Sequence, residues 1–171
     1  GVFEGAGMYV LPGSHSKIIM VDEKCTIKNF KTTLVGEMLS AIANNTILKD
    51  AVVLNDYEID KSGLLSGYLY TRNNGINEAL FKVRILKNYY SKSPAEIYSF
   101  YLGALLQSEI EYMLSVNESR VYIGGEKAIK NAIALLLETL SDKEVIVLSD
   151  SIVENSLVHG MMKIYEGIKY E

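Results

Sequence analysis

Apolar and polar positions divide the first part of the chain into three short strands. Met8–Leu11 and Lys17–Asp22 are rich in β-branched and aromatic residues, as strands are. Asp22–Lys24 is a tight polar turn, and Cys25–Thr32 is a weaker third strand. Strands joined by such short turns pair with their neighbours, so this part of the chain is predicted to form an antiparallel meander.

The spacing of the apolar residues then changes to that of a helix. Leu34, Met38 and Ile42 recur at intervals of four, and Thr33 is a suitable N-cap. The pattern fades at Asn44–Asn45. Residues 46–92 are predicted to be a helical insertion, with one short, glycine-loosened helix and one amphipathic helix.

The second half of the chain reads as helices alternating with strands. Ser93–Glu96 is a capping box with proline at the first helical position, and it opens a helix that is apolar on nearly every side. Arg120–Gly125 is a short strand that ends in two glycines, and a helix follows it. Glu144–Leu148 is a continuous apolar strand of the buried parallel kind. Ser151 and Glu154 predict a second capping box at the start of the last helix.

This order of elements predicts the fold class. A meander followed by two β-α-β crossovers gives one mixed five-stranded sheet, with three antiparallel strands, two parallel strands and helices on both faces. That is the α/β arrangement of the ribonuclease-H-like, actin-like ATPase half-domain. We therefore expect residues 1–171 to form a single domain.

Composition limits what such a domain does. The 171 residues are 49% hydrophobic and carry a net charge of −4, which argues against disorder and against a nucleic-acid partner. Cys25 is the sole cysteine and cannot form an intramolecular disulfide, which favours the cytoplasm. No apolar run approaches the ~20 residues that cross a bilayer, so no membrane partner is expected. The chain starts at Gly1 without methionine or a signal peptide, and we interpret this as a cut inside a longer polypeptide.

The turn "LPGSHSK" between the first two strands is the first candidate ligand site. Its glycine allows positive φ and close approach of the backbone, its serines supply short donors, and its histidine can donate to an oxyanion. Its lysine adds a point charge suited to phosphate. A plain β-turn explains these seven residues at least as well. The candidate residues are Gly13, Ser14, His15, Ser16 and Lys17.

Gly124 and Gly125 form the second candidate site. Paired glycines at the end of a strand that leads into a helix let a flat ligand lie on the backbone, and ligands bind at the carboxyl ends of strands in such sheets. A tight strand-to-helix turn is the alternative. Two such corners in one sheet favour a nucleotide, with phosphates at the hairpin and adenosine at the glycines. No metal-ligating cluster is predicted.

The stretch "YVLPGSHSKIIMVDEKCTIKNFKTTLVGEML" resembles the second half of 2-dehydro-3-deoxygalactonokinases, which read PGTHSKW and then F-x-T-x-x-T-G-E-L. The likeness continues through "ALFKVR", "FYLGALLQSEI" and "VYIGG" and spans most of the chain. The family belongs to the actin-like sugar kinases. The resemblance implies transfer of the ATP γ-phosphate, with Mg²⁺, to the 6-hydroxyl of 2-dehydro-3-deoxy-D-galactonate or a similar 2-keto-3-deoxy sugar acid.

The resemblance also implies roles for particular residues. The hairpin residues match the second phosphate loop, and Gly124 and Gly125 match the adenosine motif. Gly36 and Glu37 match the glycine and glutamate of T-G-E, at the start of the helix that faces the cleft, although an acid in the first turn of a helix is also favoured by the helix dipole. Arg84 matches the arginine of F-x-V-R, although a surface or ion-paired arginine is the simpler interpretation. Asp150 ends the last strand and could reach the ribose, but a role in the turn is favoured.

The chain departs from the family at two positions and lacks half of the family's length. Val35 stands where the family has threonine, and Ile18 stands where a bulky residue is usual. The missing N-terminal half carries the first phosphate loop, and the catalytic base is expected there, upstream of Gly1. The chain is therefore expected to be a nucleotide-binding half, inactive alone, whose partners are ATP or ADP, a sugar acid, the missing half and a second copy in a homodimer. The alternative is a non-catalytic nucleotide-binding or self-association module.

Overall fold

The computed structural model describes residues 5–168, and it contains one five-stranded sheet. The strand order is β3-β2-β1-β4-β5. The first three strands are antiparallel, whereas β4 pairs in parallel with both β1 and β5, as the sequence predicted. The strands are β1 (Gly7–Leu11), β2 (Ser16–Val21), β3 (Ile27–Thr33), β4 (Arg120–Ile123) and β5 (Glu144–Val147).

Six α-helices are described around this sheet, and a short 3₁₀ helix spans Ile47–Asp50. The larger hydrophobic core lies between helices and the sheet face that carries Met8 and Val10. A smaller core lies on the opposite face, where the rings of Tyr9 and Tyr122 stack with centroids 4.5 Å apart. The helices are α1 (Val35–Asn45), α2 (Lys61–Asn74), α3 (Ile76–Tyr90), α4 (Pro94–Ser115), α5 (Lys127–Leu140) and α6 (Asp150–Ile168).

Helix α4 is the buried centre of the larger core. Its capping box forms as predicted, because the Glu96 amide donates to Ser93 Oγ at 3.2 Å and the Ser93 amide donates to Glu96 Oε2 at 2.9 Å. Hydrogen bonds from Lys92 and from Ser93 hold the pKa of Glu96 at about 2. Thirteen of the 22 residues of α4 are buried, so this helix is a fixed support for the elements packed on it.

Helices α2 and α4 cross in close contact through two glycines. A Cβ added to Gly103 would lie 2.9 Å from the Leu64 carbonyl carbon, and one added to Gly67 would lie 2.8 Å from the Phe100 carbonyl carbon. Both distances are too short for a real side chain, and backbone atoms cannot move aside as a flexible side chain does. The predicted helical insertion is therefore attached to α4 backbone against backbone.

We expect Gly103→Ala to lower the free energy of unfolding by about 2 kcal/mol. Alanine gains about 1 kcal/mol of helix propensity over glycine, but separating two packed backbones costs more than that gain. Gly160→Ala on α6 is the matched control, because a Cβ there meets nothing within 4 Å. Urea unfolding measures both variants. A Gly103→Ala protein as stable as Gly160→Ala would show that the crossing is not close-packed.

Two details at the start of α1 differ from the sequence prediction. Thr33 is the last residue of β3 and not the N-cap, which is Leu34 without a side-chain capping bond. The helix buries Val35 and Leu39, whereas Leu34 is 53% exposed. The sequence showed apolar residues on two adjoining faces of α1, and packing against α4 selects one of them.

The end of the chain also differs from the prediction. β5 is the edge strand of the sheet, with its two end residues exposed, so the prediction of a buried strand was wrong. Ser151 lies inside α6 and does not cap it; the Ile152 amide donates to Ser149 Oγ at 3.4 Å. Within residues 5–168, no helix is long and apolar enough to cross a membrane.

Candidate functional site

The hairpin between β1 and β2 presents polar groups at the carboxyl end of β1. We call Gly13–Lys17 the hairpin corner. Ser14 and His15 are exposed, and the Lys17 ammonium donates to the His15 carbonyl oxygen at 2.9 Å. The corner therefore offers one hydroxyl, one imidazole and one ammonium group to a ligand from solvent.

The start of α1 packs directly against this corner. A Cβ on Gly36 would lie 2.7 Å from the Gly13 carbonyl carbon and 2.9 Å from Ser14 Cα, so only glycine fits there. The Glu37 amide donates to the Ser14 carbonyl oxygen at 3.1 Å. Gly13 itself does not have the predicted positive φ, and a Cβ on it would meet nothing within 4 Å. The close packing of α1 on this corner therefore depends on Gly36, whereas the positive φ predicted for Gly13 is not observed.

A side-chain hydrogen bond joins the same two elements. His15 Nε2 lies 2.8 Å from Glu37 Oε1, and about half of each side chain is exposed. Exposed pairs of this kind contribute little to stability. The bond between His15 and Glu37 instead orients the imidazole beside the first turn of α1. The structure thus brings together two predicted site residues that are 22 positions apart in sequence.

The glycine pair after β4 lies beside the hairpin corner. The Gly124 amide donates to the Val10 carbonyl and the Glu126 amide donates to the Pro12 carbonyl, each at 3.0 Å. Gly125 has φ +98°, and a Cβ on it would lie 3.2 Å from the Pro12 nitrogen. Because β1 and β4 are parallel neighbours, their carboxyl ends place both glycine turns at one edge of the sheet.

Glu126 is the N-cap of α5. Its carboxylate oxygens accept hydrogen bonds from the amides of Ala128 at 3.1 Å and Ile129 at 2.9 Å. These are the free amides of the first turn that an anion would otherwise use. The start of α5 is therefore satisfied by the protein itself, which leaves the hairpin corner as the better place for a phosphate.

Two cavities continue this edge of the sheet. A cavity of about 260 Å³ lies between the hairpin corner, α1 and the start of α5. A second cavity of about 560 Å³ lies between residues 56–59 and the outer side of α5. The first is lined by Gly13, Ser14, Gly36, Leu39, Ser40, Leu54, Tyr98, Glu126 and Ile129. The second is lined by Asp56, Tyr57, Glu58, Ile59, Lys127, Ala128, Asn131, Ala134, Leu135 and Glu138.

Two predicted residues do not reach this site with their side chains. Ser16 is fully buried, so its hydroxyl does not face the open side of the corner. Arg84 donates to the Ile47 carbonyl at 2.9 Å, beyond the C-terminal end of α1. Glu37 lies in the first turn of that 11-residue helix, which places the two ends about 16 Å apart. The structure therefore separates Arg84 from Glu37.

Several residues of the site were not found from the sequence. Gly36 was matched only by family resemblance, and residues 56–59 carried no motif. Lys130 is almost fully buried on α5, and its ammonium lies 2.6 Å from Asp150 Oδ1. This pairing lowers the pKa of Asp150. Asp150 therefore joins α5 to α6, and its position directly after the last strand was the only sequence signal for that contact.

The described part of the chain contains no cluster of side chains that could coordinate a metal ion without other ligands. No group of three or more histidine, cysteine, aspartate or glutamate side chains converges there. Mg²⁺ in nucleotide sites is commonly held by one or two carboxylates together with phosphate oxygens. A site with the Glu37 carboxylate beside the corner fits that mode of binding.

Comparisons with known proteins identify the family. The profile of the 2-keto-3-deoxy-galactonokinase family matches residues 3–160. The chain belongs to this family. No curated protein matches the chain in sequence.

Two solved structures share the fold. A Sinorhizobium meliloti protein assigned as a 2-dehydro-3-deoxygalactonokinase superposes with a TM-score of 0.73 at 24% identity, over 88% of this chain and 51% of that one. The activator of 2-hydroxyisocaproyl-CoA dehydratase from Clostridium difficile, solved with ADPNP, has a TM-score of 0.52 at 16% identity, over 86% of this chain and 55% of that one. This chain thus has the mixed five-stranded sheet of the actin-like fold, and it spans about half the length of each of these two structures.

Proposed function

We propose that this chain is the nucleotide-binding half of a kinase that transfers the ATP γ-phosphate to the 6-hydroxyl of 2-dehydro-3-deoxy-D-galactonate or a similar sugar acid. The observation that carries the proposal is the meeting of two glycine turns at the carboxyl ends of β1 and β4, with one cavity beside the hairpin corner and another along α5. Membership of the 2-keto-3-deoxy-galactonokinase family supports the sugar-kinase part of the proposal.

The phosphates would lie at the hairpin corner. Ser14 Oγ is exposed there, and the Lys17 ammonium is a point charge that can turn from the His15 carbonyl to a phosphate oxygen. His15 Nε2 is already bonded to Glu37, so its ring is aligned before a ligand arrives. Gly36 keeps the α1 backbone close enough to shape the floor of this subsite.

The adenosine would lie along the outer side of α5, past Gly124 and Gly125. The larger cavity of about 560 Å³ is of the size that ligand sites have. Lys127 and Asn131 from α5 and Tyr57 from the facing segment supply polar groups and a ring to its wall. A base stacked in this cavity and phosphates at the corner would form one continuous nucleotide site.

Mg²⁺, when bound, would neutralise charge on the transferring phosphoryl group. Glu37 is the carboxylate at this corner that would hold it, directly or through water. The Glu37 amide and the His15 imidazole fix that carboxylate's place. We do not include Arg84 in the site, because its guanidinium is bonded at the far end of α1.

The remaining parts of the reaction would come from a second half. The chain spans 51% of the Sinorhizobium meliloti structure, and we propose that the other half supplies the base for the 6-hydroxyl and the second wall of the cleft. We also propose that residues 1–171 act as one domain in the cytoplasm, where ATP is available. A homodimer stays a prediction.

The test is ADP release by a polypeptide that joins this chain to its other half. We expect turnover to require 2-dehydro-3-deoxy-D-galactonate, with its C4 epimer as the comparison substrate. Saturable ATP binding without any sugar-acid-dependent ADP release would favour the non-catalytic nucleotide-binding module instead.

A further inference from the structure

Two buried polar atoms in the described chain lack a hydrogen-bond partner, and they belong to one cluster. The atoms are Ser16 Oγ and Glu109 Oε2. Ser16 lies directly opposite Thr33 in the register of β2 and β3, so the two side chains are on the same face of the sheet. The Thr33 hydroxyl donates to Glu109 Oε1. The strand pair and α4 thus bring three polar side chains together beneath the sheet.

The position of this cluster connects it to the candidate site. Ser16 is part of the hairpin corner, and Thr33 precedes the start of α1 by two residues. The corner and α1 are the two pieces whose contact shapes the proposed phosphate subsite. Glu109 on α4, the most buried helix, bonds to Thr33, which lies between these two pieces. A buried polar group without full pairing costs stability, so its retention at this place calls for a function.

The surroundings of Glu109 act on the pKa of its carboxyl in opposite directions. Burial raises the pKa of the carboxyl, while the Thr33 hydroxyl and the Lys31 ammonium oppose that rise. Lys31 lies on β3, two residues before Thr33, with its ammonium 4.2 Å from the centre of the Tyr112 ring. Four ionisable side chains on the helices packed against α4 have partners other than Glu109: Glu37 with His15, Arg72 with Glu111, Arg84 with the Ile47 carbonyl and Lys130 with Asp150.

We propose that Glu109 is a positioning residue that fixes the hairpin corner and the start of α1 relative to each other through Thr33, which lies opposite Ser16 in the strand register. The inference rests on the proposed function only for its purpose, which is to shape the phosphate subsite before a ligand binds. The Glu109 carboxyl accepts the Thr33 hydroxyl with one oxygen. Glutamine has the same shape and the same pairing ability, whereas leucine has neither.

The test follows amide hydrogen exchange and Mg-ATP affinity in four variants of the chain. The main reporter is the Glu37 amide, which bonds to the Ser14 carbonyl, and the reference is the Gly124 amide, which bonds to the Val10 carbonyl. Glu109→Leu removes the pairing, Glu109→Gln preserves it, and Thr33→Val is a milder removal that should fold in any case. Ile110→Val is the control, since Ile110 is equally buried on α4 but apolar.

We expect Glu109→Leu and Thr33→Val to speed exchange of the Glu37 amide at least tenfold relative to the Gly124 amide. Glu109→Gln should exchange like wild type, and Ile110→Val should speed both amides equally. Where ATP binds, its affinity should fall about tenfold in the first two variants and stay unchanged in the glutamine variant. Equal effects on both amides in Glu109→Leu and Thr33→Val would overturn the inference. Failure of the wild-type chain to bind ATP would count against the proposed function, and the exchange ratio would still decide the role of Glu109.

A pH series supplies a second readout. Because folding raises the pKa of Glu109 above its ordinary value of 4.5, the folded state binds more protons than the unfolded state above that pH. The stability of wild type should therefore fall as pH rises above 4.5, relative to Glu109→Gln, and the two stability profiles should run parallel below that pH. Profiles that also stay parallel above pH 4.5 would contradict a raised pKa of Glu109.

Discussion

The double variant Ser14→Ala/Lys17→Met should bind Mg-ATP at least a hundredfold more weakly than wild type while its melting temperature stays nearly unchanged. A hydrogen bond to a charged group contributes about 1.5–3 kcal/mol, and the variant loses one from the hydroxyl and one from the ammonium. Ser14 is exposed, and Lys17 forms one exposed bond to the His15 carbonyl. The folded state therefore loses little when both side chains are shortened or neutralised. Titration calorimetry and thermal unfolding measure the two quantities on one preparation.

The control for this variant is Ser119→Ala/Lys87→Met. It makes the same chemical changes and removes the same charge, but Ser119 lies before β4 and Lys87 lies on α3, both exposed. We expect its ATP affinity to equal that of wild type. Normal affinity in the Ser14/Lys17 variant, with any loss appearing as stability, would mean that the corner is an ordinary turn.

The 171-residue chain alone should show no sugar-acid-dependent release of ADP. Phosphoryl transfer depends on positioning and charge neutralisation, and under the proposed function this chain supplies one wall of the cleft while the other half supplies the base. Addition of the other half should restore turnover to the range of about 1–100 per second that kinases reach. A coupled ADP-release assay measures both states.

The same assay provides the control for that prediction. The other half should restore no turnover when it is combined with the Ser14→Ala/Lys17→Met chain. Sugar-dependent turnover by the wild-type chain alone at ordinary kinase rates would show that this chain contains a complete active site.

The fold could be predicted from the sequence because its signals are local. Strand composition, the change of apolar spacing after Thr33 and the Ser93–Glu96 capping box each lie within a few residues. The order of those elements then leaves few topologies. The observed number of strands and their directions agree with the prediction.

The sequence-based predictions that were wrong depend on contacts between distant segments. Thr33 has the chemistry of an N-cap, but its hydroxyl is taken by Glu109, 76 residues away. Glu144–Val147 is apolar enough for a central strand, but no strand within residues 5–168 pairs with its outer side, so it lies at the edge. Local sequence gives no information on which neighbours an element will have.

At the candidate site, too, local features could be predicted from the sequence and long-range contacts could not. The hairpin corner and the Gly124–Gly125 turn were found from their composition, and the structure places them side by side. The burial of Ser16, the separation of Arg84 and the requirement for glycine at position 36 follow from the packing of β2, α3 and α1. No spacing rule within the sequence would have shown them.

The most direct test of the account is a map of amide chemical shifts in the ¹⁵N-labelled chain during titration with Mg-ATP and, separately, with adenosine. We predict that Mg-ATP shifts the amides of Gly13–Lys17 together with those of Gly124, Gly125 and Lys127–Asn131. Adenosine should shift only the second group, because it lacks the phosphates that the corner accepts. Corner amides that stay unmoved at saturating Mg-ATP, while the chain binds the nucleotide elsewhere, would contradict the central claim.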